Sequence, residues 1–334
     1  MTEPPILEIR DLHVTFRTGA GPVKAVDGVT LELCRGETVA MVGESGAGKS
    51  VTALAVLGLL PERHTERSGR IVFDGRNIGD LDRTGLQRLR GNRIAMVFQD
   101  PMTSLNPVLT IGRQITETLV VHGACTRRQA RIRAAELLTL VGIVEPERRL
   151  REYPHQFSAG MRQRVLIAIA VACGPDVIIA DEPTSALDVT VQAQVLDVLD
   201  TVCAEHRTAL LHVTHDLGVV AGRSDRVIVV YAGRVVESGS TRDVFARPAM
   251  PYTLGLLGST TRIDSAPGSR LAPIPGSPVD LLDVPKGCAF HPRCEYARER
   301  CRAEEPILRE VGPGRLAACH EAELVLGTRA GAVP

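Results

Sequence analysis

The sequence predicts an α/β protein built on a mostly parallel sheet, with an antiparallel piece before it and a small loop-rich extension after it. Three observations carry that reading. Short apolar runs, TVAMV (38–42), IVFDG (71–75), RIAMVFQD (93–100), VIIAD (177–181) and ALLHVTHD (209–216), alternate with helical patterns, and such alternation gives crossovers between parallel strands. The N-terminal stretches ILEIRDLHVTF and VTLELC instead alternate apolar and polar residues about a Gly/Pro turn at 19–22, as antiparallel strands do. After about residue 258 the composition shifts to Pro, Gly and Ser, which reads as a linker over 259–287 leading to a cysteine-bearing segment over 288–334.

The elements follow in order. TVAMV is a short buried strand, then comes a Gly-rich turn, then the apolar helix KSVTALAVLGLL, which ends at Pro61. RIAMVFQD brings a strand to its end at Gln99. Residues 113 to 172 carry helical patterns, most clearly RRQARIRAAELLTLVGI. A helix over 189–204 lies between the last two buried strands, and RVIVVYAGRVVESG reads as a hairpin turning at Ala232-Gly233. The final GTRAGAVP is expected to fray. No internal repeat is visible.

Composition narrows the function. The 334 residues suggest about two domains. Lys+Arg and Asp+Glu both number 39, aromatics make up 3% and Trp is absent. A neutral chain with few stacking groups lacks the basic field and platforms of a nucleic-acid binder, so no nucleic-acid partner is expected. The basic residues are Arg-heavy, with lysine only at Lys24, Lys49 and Lys286, a bias that genomic base composition explains. The N-terminus has no basic and apolar signal regions, and no run of eighteen apolar residues occurs. A soluble or peripheral protein is expected. Eight cysteines without a secretory signal point to a reducing compartment, where clustered thiols hold metal more often than they form disulfides.

The segment GESGAGKS fits G-x-x-x-x-G-K-[ST] between a strand and a helix. In such a loop Gly43, Glu44, Ser45, Gly46, Ala47 and Gly48 turn backbone N–H groups toward phosphates. Lys49 reaches the β and γ oxygens, Ser50 ligates Mg²⁺, and the helix that continues through Val51 adds its dipole. Hydrolysis also needs a metal-holding acid, a group that orients or deprotonates water, and a contact to the γ-phosphate. VIIADEP puts Asp181 and Glu182 at the end of a buried strand, where the ligand crevice of an α/β sheet lies. Asp181 is the candidate for Mg²⁺ and Glu182 for the water. His215, ending HVTHD, and Gln99, ending IAMVFQ, are candidates for the terminal phosphate and for Mg²⁺. Taken singly, an acidic pair is more often a cap or turn and a histidine more often structural; the phosphate loop reverses that weighting.

The ordered set GESGAGKS, FQDP, FSAGMRQR, VIIADEP, SALD and HVTHD resembles an ABC transporter ATPase over residues 6 to about 258. The resemblance implies a RecA-like P-loop NTPase fold with a helical subdomain at about 100–172 inside a domain of residues 1–258. It also implies that Phe16 stacks on adenine and that Gln99 senses Mg·ATP and moves the helical subdomain. Ser158, Ala159, Gly160 and Met161 would form the signature loop that completes a partner's ATP site, with Asp188 at the dimer seam. One departure stands out: the family's LSGGQ is FSAGM here. Ala159 fits such a loop if its φ is negative and weakens the partner-side site if φ is positive.

FQDPMTSLNP, HQFSAGMRQRVLIAIA and the tail PYTLGLL, PIPGSP, GCAFHPRC, ERC, EPIL and ACH resemble the ATP-binding subunits of dipeptide/oligopeptide ABC importers. Similar subunits serve importers of nickel, glutathione or other small solutes. The resemblance implies a second ABC ATPase subunit in a heterodimer, two membrane permease subunits, and an extracytoplasmic peptide-binding protein. It also implies a peripheral position on the cytoplasmic face of the plasma (inner) membrane. Two rival readings are a soluble ABC ATPase of DNA repair or translation and a redox-sensing binding module switched by ATP. The first usually brings two ATPase units, a coiled coil or a basic surface, none of which is seen here.

Cys288, Cys294, Cys301 and Cys319 are separated by five, six and seventeen residues, unlike the paired C-x-x-C of zinc ribbons. The residues leave open a [4Fe–4S] cluster, a Zn²⁺ site with His291 or His320 as further ligands, and free thiols or disulfides. The resemblance implies the cluster. Such a metal would supply folding energy to a segment too small to bury a core of its own. Cys34, Cys125, Cys173 and Cys203 are scattered and read as packing residues.

Overall fold

The computed structural model describes residues 3–185, 187–259 and 274–328. About half of the expected linker (260–273), the end expected to fray (329–334) and Ala186 of SALD lie outside the described residues. The strands are β1 (Leu7–Thr18), β2 (Gly21–Leu33), β3 (Thr38–Val42), β4 (Thr65–Phe73), β5 (Arg76–Asn77) and β6 (Ile94–Val97). They continue with β7 (Val177–Asp181), β8 (Ala209–Thr214), β9 (Arg226–Tyr231), β10 (Arg234–Ser240), β11 (Arg309–Gly312) and β12 (Arg315–Ala317). The helices begin with α1 (Lys49–Val56), α2 (Arg83–Leu89), α3 (Pro101–Ser104), α4 (Ile111–Val121), α5 (Arg127–Leu140), α6 (Pro146–Arg149) and α7 (Ala159–Val171). After them come α8 (Val189–His206), α9 (Leu217–Val220), α10 (Thr241–Ala246), α11 (Pro251–Gly258), α12 (Glu299–Ala303) and α13 (Ala322–Thr328). Among the described residues no helix is long and apolar enough to cross a membrane.

The chain divides into two compact units. The first holds residues 3–7, 33–37 and 73–212. Its strands β6 and β7 pair in parallel, with Ile94 opposite Val177 and Val97 opposite Ala180. Val177, Ile178, Ile179 and Ala180 are all fully buried, as expected for a parallel strand covered on both faces. Helix α4 turns Ile111, Ile115 and Leu119 inward and α5 turns Ala130, Ala134, Leu137 and Leu138 inward, with Val165 and Leu166 of α7 in the same core. The i, i+4 spacing makes these stripes, and each buried Leu or Ile contributes about 1.5–3 kcal/mol. Side-chain caps set the helix starts: Thr110 for α4, Thr126 in a capping box for α5, Ser158 for α7 and Asp188 for α8.

At the start of β7, Asp176 accepts from Arg93 Nε at 2.7 Å and also from Arg35. Burial pushes its carboxyl up, but the two guanidinium groups outweigh that and hold it below the ordinary value.

The second unit holds residues 8–32, 38–72, 213–259 and 274–328. Its antiparallel part runs in the order β2–β1–β4, as the alternating N-terminal pattern predicts. Its other strands run β11–β12–β10–β9–β3. Strand β3 pairs in parallel with β9, Val39 opposite Arg226, and β9 and β10 form the expected hairpin. Ala232 and Gly233 both have positive φ (50° and 79°), the backbone of the tight turn that suits twisted strands.

Three boundaries differ from the sequence expectation. Helix α1 stops at Val56, well before Pro61, because Gly58 at φ 61° closes it while Leu59 N–H donates back to Leu54 O at 2.9 Å. Strand β6 stops at Val97, so Gln99 lies in a loop. The C-terminal segment carries more regular structure than its loop-rich composition suggests. Strand β12 pairs with the edge of β10, Ala317 opposite Glu237, and satisfies backbone groups that an edge strand leaves open. Phe290, Ala317, Cys319 and Ala322 join Tyr231, Tyr252 and Leu256 in one core. Apolar burial in the unit's own core therefore helps fold this segment, where the sequence assigned that work to a metal.

Candidate nucleotide site

In the second unit the phosphate loop connects β3 to α1, and close backbone approach dictates two of its glycines. A Cβ at Gly43 would fall 2.2 Å from Val230 O, and one at Gly48 would fall 2.2 Å from Ala25 O, distances that no side chain survives. Gly48 also sits at φ 98°, open only to glycine. Lys49 is 4% exposed, and its ammonium donates to Gly43 O at 2.7 Å and to Glu44 O at 3.0 Å. The lysine thus sits across the mouth of its own loop. Gly233 N–H donates to Ala47 O at 3.0 Å, tying the loop to the β9–β10 turn.

Ser45 and Gly46 are exposed, while Ser50 and Val51 are half-buried at the start of α1. The first turn of α1 has no acidic side chain, so its N-terminal N–H groups and dipole face an anion unopposed. Phe16 is half-buried in β1, and His215 is exposed immediately after β8.

The loop's second residue, Glu44, is held from the far end of the chain. Its N–H donates to Tyr252 Oη at 2.7 Å. Its carboxylate accepts from Arg293 Nη1 at 2.6 Å and Nη2 at 2.9 Å. Neither partner could be read from the sequence, since they lie 208 and 249 residues away.

In the first unit Asp181 ends β7 and is buried, and Glu182 follows it at φ 44°. A left-handed glutamate costs about 1–3 kcal/mol, and strain of this kind concentrates at functional positions. Gln99 Nε2 donates to Glu182 Oε2 at 3.1 Å and lies 3.4 Å from Ser185 Oγ. The structure therefore brings together two residues that the sequence selected separately. Ser185 was read only as part of SALD; its hydroxyl also donates to Glu182 O at 3.3 Å.

The segment FSAGM opens α7. Ser158 Oγ accepts from Met161 N–H at 3.3 Å. Ala159 is the first helical residue and does not have positive φ, so its methyl causes no backbone strain. Gly160 has no such latitude: a Cβ there would lie 2.4 Å from Val191 Cγ1. Asp188 caps α8, accepting from Val191 N–H at 3.0 Å.

The four C-terminal cysteines share one neighbourhood in the second unit. Cys288 N–H donates to Cys301 O at 2.8 Å, and Cys288, Cys294 and Cys319 pack on or in the same apolar core. Burial, and then neighbouring thiols of the set, push the Cys288 thiol up, that of Cys294 up to about 11 and that of Cys319 up to about 12. Such thiols stay protonated unless a cation joins them. None of the cysteines is disulfide-bonded among the described residues. His291 Nδ1 donates to Cys288 O and His320 Nε2 to Glu304 O, both at 3.0 Å. The donor chemistry suits a thiolate-bound metal group. However, no three His, Cys, Asp or Glu side chains among the described residues converge as a ligand set.

With this geometry in place, comparison with known proteins gives two family matches. Residues 26–185 match the ABC transporter family, and residues 236–301 match the oligopeptide/dipeptide transporter C-terminal region. The oligopeptide transport ATP-binding protein OppD of Salmonella typhimurium is 49% identical over 94% of this chain and 93% of its own. The chain belongs to the ABC transporter ATP-binding family, in its oligopeptide/dipeptide branch. OppD of Mycobacterium bovis is 51% identical over 98% of this chain, which spans about half (53%) of that longer relative. A solved structure titled as a dimeric, post-hydrolysis ATP-binding cassette with ADP and Pi aligns with TM-score 0.63 and 31% identity, covering 71% of this chain and 99% of that one.

Proposed function

We propose that this ABC family member hydrolyses ATP to power import of dipeptides or oligopeptides through a membrane transporter complex. The near full-length likeness to proteins named for oligopeptide transport carries the reading. The contact between Gln99 and Glu182 supports the chemistry. Residues Gly43 to Val51 cradle the phosphates, with Lys49 on the β and γ oxygens and Phe16 on adenine. Ser50, Asp181 and Gln99 hold Mg²⁺. Glu182 takes the proton of the attacking water as its oxygen bonds to the γ-phosphorus, and His215 steadies the terminal phosphate as ADP leaves. Ser158 to Met161 and Asp188 serve the ATP site of a second ABC ATPase subunit.

Two membrane permease subunits and an extracytoplasmic peptide-binding protein complete the complex, with this chain at the cytoplasmic face of the membrane. Met102 and Val108, large apolar side chains exposed in the stretch that follows Gln99 in sequence, support a protein partner on the helical subdomain at about 100–172. Uptake of a labelled dipeptide should stop in cells carrying only the Glu182→Gln form. Undiminished uptake overturns the assignment.

For the tail, we infer that Cys288, Cys294, Cys301 and Cys319 hold a [4Fe–4S] cluster, which would neutralise the thiolates that burial disfavours. Protein purified without oxygen should absorb broadly near 400 nm and carry about four irons per chain. A colourless, zinc-loaded or metal-free protein rejects the cluster.

A further inference from the structure

No motif in the sequence singles out Arg293, yet its guanidinium is buried and bonded at all three nitrogens. Its side chain is 6% exposed against 23% for Glu44. Two guanidinium nitrogens grip the Glu44 carboxylate, and the third, Nε, donates to Pro275 O at 2.8 Å. The guanidinium lies 5.8 Å from the Phe290 ring centre, and that ring meets Tyr231 edge-on at 5.3 Å and Tyr252 at 5.4 Å. Phe290 and Arg293 both belong to the short loop between Cys288 and Cys294. The same Glu44 gives its N–H to Tyr252 and its carbonyl to Lys49. One residue of the phosphate loop is thus fixed at carboxylate, amide and carbonyl at once, and the carboxylate's partner comes from the tail.

We propose that Arg293 is a positioning residue for nucleotide binding: through Glu44 it sets the backbone of the phosphate loop and the resting place of Lys49. A bidentate fork fixes orientation as well as distance, which a lysine cannot reproduce. The loop binds phosphate with backbone N–H groups whose directions must be preset, so a small tilt of Glu44 weakens binding without removing any ligand of the nucleotide. By linkage, the arrangement of the Cys288–Cys294 loop and nucleotide affinity then influence each other equally. This rests on the nucleotide-binding reading above.

Full-length Arg293→Lys, Glu44→Gln and the double variant should be titrated with Mg·ATP by calorimetry, beside the wild type and Arg309→Ala. Arg309 pairs with Glu323 at 2.7 Å on the exposed face of the same tail, so it controls for general loosening. Arg293→Lys and Glu44→Gln should each bind roughly ten-fold more weakly. The double variant should be no weaker than the worse single one, because both remove the same contact. Arg309→Ala should bind as the wild type does. In hydrolysis, the KM of Arg293→Lys and of Glu44→Gln should rise while kcat holds. If wild type itself binds no ATP, the nucleotide reading fails. If wild type binds and both single variants match it, or the control weakens as much as they do, this inference alone fails. Should Arg293→Lys not fold, Glu44→Gln decides by itself, since its backbone bonds to Tyr252 and Lys49 persist.

Discussion

Gln99 Nε2 donates to Glu182 Oε2 at 3.1 Å, joining the end of the strand at 94–97 to the end of the strand at 177–181. A carboxylate held this way is oriented before any substrate arrives, as a base for water requires. Glu182→Gln removes the base and keeps the size and the contact partner. Hydrolysis should fall by about 10²–10⁴-fold, with ATP affinity within about threefold of wild type. Steady-state phosphate release and calorimetry check the two halves; turnover at the wild-type rate refutes the assignment.

Lys49 is buried at the mouth of its loop and bonded to two carbonyls there. Lys49→Ala should cost nucleotide binding about 1.5–3 kcal/mol, the usual worth of a hydrogen bond to a charged group. Unchanged affinity by calorimetry would contradict the cradle.

Neighbouring positions of FSAGM should respond in opposite ways. Ala159 begins a helix with ordinary φ, so Ala159→Gly should leave transporter-coupled hydrolysis within about twofold and slightly loosen the helix start. A clear rise in turnover would show that the methyl obstructs. Gly160→Ala places a methyl 2.4 Å from Val191 and should lower stability by about 1–3 kcal/mol, read as a drop in Tm. An unchanged Tm would show that Val191 yields freely.

Asp176, between Arg35 and Arg93, links stability to pH. Its folded carboxyl titrates below the ordinary value, so its contribution is complete above about pH 4, where the unfolded chain's aspartate is already ionised. The contribution is lost as pH falls through the lower, folded value. Asp176→Asn should therefore be less stable than wild type at neutral pH, by about 1–3 kcal/mol, and the gap should close on acidification below about pH 4. A gap independent of pH in urea titrations would remove the charge argument.

The parts legible in the sequence are those whose physics is local. Eight consecutive residues specify a phosphate loop because the demand is for small residues at set backbone angles, a lysine and a helix start, all within two turns of chain. The apolar run of VIIAD reads as a buried strand, and alternation in the first thirty residues reads as an antiparallel pair, because side-chain period follows from backbone geometry. The four tail cysteines and their spacing are equally plain in the sequence.

Tertiary structure alone decided the rest. Whether Ala159 strains the signature depended on φ, which the helix at 159–171 sets. Ser185 became a neighbour of Gln99, and Arg293 a neighbour of Glu44, across 86 and 249 residues. The tail gained a strand because the edge at 234–240 offered unpaired backbone groups. Pairings of this kind leave no periodic trace, since the energy of each contact is realised only after the core has brought two distant segments to the same place.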